Sequence, residues 1–439
     1  MGMRLPIVAI VGRPNVGKST LFNRIVGKRL SIVHEQEGVT RDRVAMESDW
    51  AGHDFYLVDT GGYIPQSEDV IDSEVRKQAM LAVDEADVII LMVDTVVGIT
   101  WEDEEIVKQA RKSNKPLVLV ANKADNDLLE SQSHVFYQLG LGEVFPISAL
   151  NGRAVGEVLD KVVSTFDKIE LEDDSDEDAI RFAIVGMPNA GKSSLTNALL
   201  GVDRQIVTDV PGTTRDSINT SFKYYGQTYE MIDTAGLRRK AKVNDTIEYF
   251  SSIRTQQAIR SSDVVIVLID AEKGFVSQDA RVMEEIIKAG KGLVVGVNKW
   301  DLVKKSTNTM RDFKQNLIDN MYVLRHYPIQ FISTMERRRI FKLVDLVKQI
   351  HEEQQKRIPT RQLNLFLEDS VARLQPPSPH GKEIKLNYCT QVAIEPPVIV
   401  IFSNHPDDIK TPYRRFIENR FRETFGFEGV PVRISFRKK

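Results

Sequence analysis

Cysteine is almost missing from this chain of 439 residues. Cys389 stands alone, so no internal disulfide can form, and nothing near it has metal-ligand spacing. That usage fits a reducing cytoplasm and predicts that Cys389 is a small core residue of a strand. Also missing is any apolar run near the roughly 18 residues that a membrane-spanning helix requires. An integral membrane protein is therefore not expected, and no membrane partner either. Residues 1–6 lead directly into the apolar stretch Ile7–Val11, too short for a secretory signal and without a small-residue cleavage site, so no export is expected. Nor does one sign of charge prevail, since the net charge is only −3. The distribution is uneven, however: residues 355–439 hold 15 Lys and Arg against 9 Asp and Glu, leaving a balance of −9 for the residues before them. A basic end of this kind is either a solvated surface or a contact for nucleic acid or another polyanion.

What the chain does have is a repeat. Gly12-Arg13-Pro14-Asn15-Val16-Gly17-Lys18-Ser19 recurs 174 positions later as Gly186-Met187-Pro188-Asn189-Ala190-Gly191-Lys192-Ser193. In the same register, Gly38-Val39-Thr40-Arg41-Asp42 recurs as Gly212-Thr213-Thr214-Arg215-Asp216, and Asp59-Thr60-Gly61-Gly62 as Asp233-Thr234-Ala235-Gly236. Asn122-Lys123-Ala124-Asp125 recurs as Asn298-Lys299-Trp300-Asp301 with a displacement of 176, so the second copy carries two extra residues between its third and fourth motifs. Motifs repeated in register mean a duplicated domain.

At about 100 to 200 residues per domain, a chain of this length holds two to four domains. Between the copies, residues 170–178 carry seven acidic side chains in nine with no basic partner, a self-repelling run that reads as an extended linker. A second boundary falls where a helical pattern ends in a charged stretch before Pro359. The expected organisation is thus residues 1–168, a linker over 169–179, a second copy over 180–353 and a small domain over 354–439. In the first copy, residues 7–11, 55–58, 88–93 and 117–121 read as buried parallel strands and residues 101–112 as a covering helix. The second copy repeats the strands at 182–185, 229–232, 264–269 and 293–297. Such alternation predicts α/β, two doubly wound sheets with ligands at the C-terminal strand ends. The last 85 or so residues read as helix (363–374), two strands (383–394, 398–403), helix (413–425) and strand (432–437), a small α+β module. In its last helix Tyr413, Phe416, Ile417, Phe421 and Phe425 form an apolar stripe, with Arg414, Arg415 and Arg422 expected to point away from it.

Each copy places a G-x-x-x-x-G-K-S loop between a strand and a helix. There the glycines let backbone N–H groups curl round phosphates, Lys18 and Lys192 reach the outer phosphates, and Ser19 and Ser193 offer hydroxyls to Mg²⁺. Asp59 and Asp233 end strands beside that metal. Gly62 and Gly236 leave an N–H free for a γ-phosphate, and Thr40 and Thr214 supply hydroxyls that complete the metal shell. Asp125 and Asp301 accept from the N1–H and 2-amino group of guanine, donors that adenine lacks, so a buried Asp there selects GTP and GDP. The guanine oxygen is expected to meet the loop Ser148-Ala149-Leu150, matched by Ser333-Thr334-Met335 in the second copy, where Thr334 in place of alanine is expected to weaken the contact. The glutamine that orients water in many small GTPases has no counterpart, its place being held by Tyr63 and Leu237.

With this duplicated motif set, the stretch Asp233–Lys240 and the tail residues Tyr388-Cys389-Thr390-Gln391, Pro396-Pro397 and Tyr413-Arg414-Arg415, the chain resembles the Der (EngA) family of bacterial tandem GTPases over essentially its whole length. The resemblance implies two Ras-like G domains flanking a KH-like C-terminal domain, GTP hydrolysis, and a role as a ribosome assembly factor, with the large ribosomal subunit and its rRNA as partners. In related GTPases with Asn-bearing loops a potassium ion stabilises the transition state, which implies K⁺ at Asn15 and Asn189. A monomer is expected. Gly426-Phe427-Glu428-Gly429 spells the GxxG of RNA-binding KH domains, yet it joins a helix to a strand and reads as a capping glycine with a turn. An alternative to the enzyme is a nucleotide-gated docking scaffold, in which one G domain binds GTP with little turnover.

Overall fold

A computed structural model of the chain describes residues 5–30, 45–60, 83–168, 178–201, 219–232, 247–304, 306–377 and 383–438. The chain divides into two compact units, one built on residues 4–173 and the other on residues 174–243 and 254–439. In the first, β1 (Ile7–Val11), β2 (Ala45–Trp50), β3 (His53–Asp59), β4 (Val88–Asp94), β5 (Leu117–Asn122) and β6 (Val144–Pro146) form one sheet in the order β2-β3-β1-β4-β5-β6. All pairs are parallel except β2 with β3. β1 and β4 are buried along their whole length because helices cover both faces. Side chains alternate between those faces: Val8 and Ile10 pack with Leu21, Phe22 and Ile25 of the helix Lys18–Leu30, while Ile7, Ala9 and Val11 pack on the other side. Each fully buried aliphatic side chain contributes about 1.5–3 kcal/mol relative to leaving it in water.

The second unit repeats the order with β7 (Ile180–Gly186), β8 (Thr220–Tyr224), β9 (Gln227–Ile232), β10 (Val264–Asp270), β11 (Gly292–Asn298) and β12 (Ile329–Phe331), again with an antiparallel edge pair, β8 and β9. The sheets are therefore mixed: the strands that the sequence pattern marks are all parallel, and each sheet adds an antiparallel edge strand that it does not mark. The edge strands β2 and β8 intersperse polar residues among apolar ones, so hydrophobic runs do not mark them. Their hairpin turns do: Ala51 and Gly52 lie at φ 50° and 84°, Tyr225 and Gly226 at 47° and 79°. Two successive positive φ values make the mirror-image turn that matches strand twist.

The third sheet, β13 (Leu386–Ala393), β14 (Val398–Ser403) and β15 (Arg433–Lys438), is covered by the helices Thr360–Arg373 and Thr411–Phe425. It belongs to the second unit and shares its core. Leu343, Val347 and Ile350 of the helix Phe341–Gln354 join one cluster with Leu363, Phe366, Ile399, Ile401, Ile417, Phe421 and Val430. Cys389 is fully buried there in β13, and burial pushes its thiol up to about 12. The Gly426–Gly429 turn is part of the same contact. Gly429 accepts from Leu293 N at 2.9 Å and donates to His326 O at 2.8 Å, Phe427 is fully buried, and a Cβ on Gly429 would stand 2.4 Å from Ile350 Cδ1. That packing makes the turn structural.

Arg422 lies off the apolar stripe but is not in solvent: it is 8% exposed, with Nη1 donating at 3.0 Å to both Phe427 O and Val430 O. The chain after the helix folds back over the side of the helix that its own apolar stripe leaves uncovered. Arg414 is also engaged, donating to Ile409 O and Pro406 O and lying 5.0 Å above the Phe436 ring. Of the three arginines, Arg415 alone is exposed.

Candidate nucleotide sites

Both phosphate loops have one backbone shape. Asn15 and Asn189 sit at φ 65°, a left-handed conformation that asparagine tolerates, and their exposed carboxamides make no hydrogen bond among the described residues. Gly17 and Gly191 follow at 101° and 97°, where a Cβ would stand 2.2 Å from Asn122 Nδ2 and 2.1 Å from Asn298 Nδ2. Those asparagines explain the close approach. Asn122 Nδ2 donates to Val16 O at 2.7 Å while its Oδ1 accepts from Ala149 N at 2.9 Å, so one buried side chain ties the phosphate loop to the loop after β6. Asn298 repeats this, donating to Ala190 O at 2.8 Å and accepting from Thr334 N at 3.2 Å. Thr334 thus sits as Ala149 does, buried, with its amide held by the same partner.

Lys18 is 6% exposed, and its Nζ donates at 2.8 Å to Gly12 O and Arg13 O. Burial brings it down to about 8, opposed by Asp59 and reinforced by Arg13. Lys192 folds the same way onto Gly186 O at 2.6 Å and Met187 O at 2.8 Å. Pro14 and Pro188 are exposed between these carbonyls and the asparagines. Asp59, 2% exposed, closes β3, and Thr60 Oγ1 donates to Ile10 O at 2.9 Å. Ser19 and Ser193 are exposed in the first turn of their helices. No group of three or more His, Cys, Asp or Glu gathers among the described residues. A sparse set of hydroxyl and carboxylate oxygens fits Mg²⁺, which keeps water and phosphate oxygens as its other ligands.

At the base end, Asp125 is exposed and accepts from Ser148 Oγ at 2.5 Å, whereas Asp301 is half-buried with Oδ1 unpartnered. Asp125 therefore departs from the buried position expected of it: β5 ends at Asn122, and the residues after Ala124 run over the surface. Ala124 and Trp300 are buried beneath these loops. The loop's second residue, Lys123 or Lys299, adopts φ 68° or 58° and its ammonium pairs with Asp94 at 2.5 Å or Asp270 at 2.6 Å. Ser148 and Ser333 are buried and each forms a bridge to the arginine five residues on, Arg153 or Arg338. Thr40, Gly61, Gly62, Tyr63, Thr214, Asp233, Thr234, Ala235, Gly236 and Leu237 lie outside the described residues.

Motif reading missed four carboxylates and Arg24, and it named Arg13 without its partners. Arg13 lies 3.9 Å from Asp94 and 3.6 Å from Asp103, a fully buried residue that also caps the helix Trp101–Lys112 through Thr100. Burial raises Asp103 despite Arg13, and raises its counterpart Asp279 as well. Asp270 and Asp279 follow Asp94 and Asp103 at the displacement of 176 already set by the Asn-Lys-x-Asp motifs, so a search for repeated acids would have found them. Arg24 donates through Nε to Ala149 O at 2.5 Å and through Nη2 to Leu150 O, fastening the base loop of the first copy to its phosphate-binding helix. Ala198 holds the matching place in the second copy.

Two phosphate loops, each opening a helix beside an Asn-Lys-x-Asp loop on a doubly wound sheet, define a P-loop GTPase with two nucleotide sites. A family model described as "50S ribosome-binding GTPase" matches residues 7–123 and 181–299, and one described as "KH-domain-like of EngA bacterial GTPase enzymes, C-terminal" matches residues 357–437. The chain is 46% identical over 437 residues to GTPase Der of Staphylococcus carnosus (strain TM300), covering 100% of both. It is 47% identical over 438 residues to GTPase Der of Chloroherpeton thalassium (strain ATCC 35110 / GB-78), covering 99% of this chain and 100% of the relative. The chain belongs to the GTPase Der family and is a GTP-binding, GTP-hydrolysing enzyme.

Proposed function

We propose that the chain is a monomeric cytoplasmic GTPase that acts in maturation of the large ribosomal subunit, with the subunit's rRNA as its partner. The observation that carries this reading is that both phosphate loops fall within the segments matched by the ribosome-binding GTPase description, on a chain whose C-terminal module is net basic. Lys18 and Lys192 exchange their loop carbonyls for the outer phosphates. Asp125 and Asp301 accept from the guanine edge, with Ser148, Ala149 and Ser333 framing the base. Ser19, Thr40 and Asp59, and in the second site Ser193, Thr214 and Asp233, hold Mg²⁺, which when bound neutralises charge on the phosphates. Gly62 and Gly236 offer backbone N–H groups to the γ-phosphate. Asn15 and Asn189, whose carboxamides are unengaged, hold K⁺.

One observation favours a second reading, a docking scaffold with unequal sites: Met187 and Ala198 deprive the second site of both arginine contacts that brace the first. In either reading the nucleotide biases docking, because a ligand shifts an equilibrium only through differential affinity for its states. Co-sedimentation of the full chain with purified large subunits tests this. Stronger pelleting with a non-hydrolysable GTP analogue than with GDP is expected, and equal pelleting in both would remove the switch.

A further inference from the structure

The base loop of the second copy differs from that of the first in a way that nucleotide binding does not require. The bridges Ser148 to Arg153 and Ser333 to Arg338 align the two loops residue by residue. Gly152 and Ala154 of the first copy then correspond to Arg337 and Arg339 of the second. All four adopt left-handed backbone, at φ 84°, 56°, 52° and 59° in that order. Glycine takes such a conformation without strain, and a long side chain does not. In the first copy the loop's arginine is spent internally, with Arg153 Nη2 lying 2.7 Å from Asp127 and 2.6 Å from Glu130. In the second, Glu336 and Arg337 to Arg339 are all exposed, and Glu336 pairs with Arg338 alone at 3.2 Å. Arg337 and Arg339 make no hydrogen bond or ion pair among the described residues. Arg337 passes the end of the helix Lys192–Leu200, near Gly201, without bonding its carbonyls.

We propose that Arg337 and Arg339 form a phosphate-binding tip that docks RNA on the second G domain, an inference that rests on the ribosomal reading above. A guanidinium offers a planar fork of donors matched to phosphate oxygens, and two of them held on a short bridged loop reach a backbone together. The tip is three residues from Thr334, whose amide is fixed by Asn298 in the base loop. RNA docked on the tip and guanine held in the second site therefore bias the same short segment. By reciprocity, RNA tightens nucleotide at the second site by the factor that nucleotide tightens RNA.

The test is the double substitution Arg337→Gly with Arg339→Ala, which installs the residues that the first copy carries at the same two backbone positions and so keeps the loop foldable. Full-chain protein is titrated with purified large ribosomal subunits, and separately with a synthetic single-stranded RNA, across a salt series. Losing two phosphate contacts is expected to lower the slope of log affinity against log salt by about 1.4 to 1.8 and to weaken binding roughly tenfold or more at low salt. Hydrolysis without RNA should not change, and the melting temperature should not fall, since the substitutions relieve left-handed backbone strain. If wild type binds subunits and the variant binds them with the same slope, the tip assignment is wrong while the ribosomal reading stands. A variant weakened on subunits but unaltered on RNA moves the partner to a ribosomal protein and overturns the RNA assignment. Wild type that binds neither removes the ribosomal reading, and the inference falls with it.

Discussion

The two nucleotide sites share a backbone and differ in what braces it. In the first, Arg13 reaches Asp94 and Asp103, and Lys123 reaches the same Asp94, so one buried carboxylate links the phosphate loop to the base loop. Arg24 adds a second fastening, from the phosphate-binding helix to the base loop. In the second, Met187 and Ala198 occupy those places, Lys299 has Asp270 to itself, and Asp279 keeps its helix-capping bond from Val276 N without an arginine. The asparagine bridge survives in both. Shape is thus carried in both copies by backbone and by one amide side chain, and the charged contacts around it are what differ.

The largest expected effect applies to both sites alike. Asp125→Asn and Asp301→Asn should each move their own site from guanine to xanthine nucleotides by about a hundredfold or more, because an amide donates to the 2-oxo group where a carboxylate cannot. Fluorescent-nucleotide titration of each variant, with the other site disabled by Lys192→Ala or Lys18→Ala, measures it. Unaltered guanine preference would remove that aspartate from the base site. A smaller effect, about tenfold, is expected of the monovalent cation. Asn15 and Asn189 present equivalent carboxamides, so hydrolysis at both sites should be faster in K⁺ than in Na⁺ at equal ionic strength, and Asn15→Ala or Asn189→Ala should abolish the difference in its own domain. Single-turnover assays on the site-disabled proteins decide this. A cation effect confined to one site would end the equivalence, and none at either would end the cation role.

The smallest effect separates the sites. Arg13→Met should speed GDP release from the first site severalfold, while Met187→Arg should slow release from the second, both read by stopped-flow displacement. Since Arg13 and Lys123 share Asp94, combining Arg13→Met with Lys123→Met should be non-additive. Strict additivity would mean that Asp94 does not couple the two loops.

Much of the architecture was legible in the chain because it depends on local or periodic signals. Buried strands announced themselves as apolar runs, and the phosphate loops as glycines and a lysine between strand and helix. Thr334 in place of alanine leaves the Asn298 bond intact, because that bond uses the backbone amide, which any residue except proline supplies. The edge strands escaped notice because a strand with one polar face carries a weak signal outside its turn.

From the sequence alone came the duplication, its register, the Asn-Lys-x-Asp motifs and the third module, each the product of residues close together in the chain. Only the tertiary structure decided what covers what. Helical periodicity places Arg422 off the apolar stripe of its own helix, but whether that side meets water depends on the Phe427–Val430 segment folding back to it, and it does. The same holds for Arg13, which the motif offers as an unspecified position of a loop. Its partners, Asp94 and Asp103, are some eighty and ninety residues away in the chain and reach it through the parallel neighbour β4 and the helix that follows. Pairing across that separation is fixed by strand order, which local patterns do not encode.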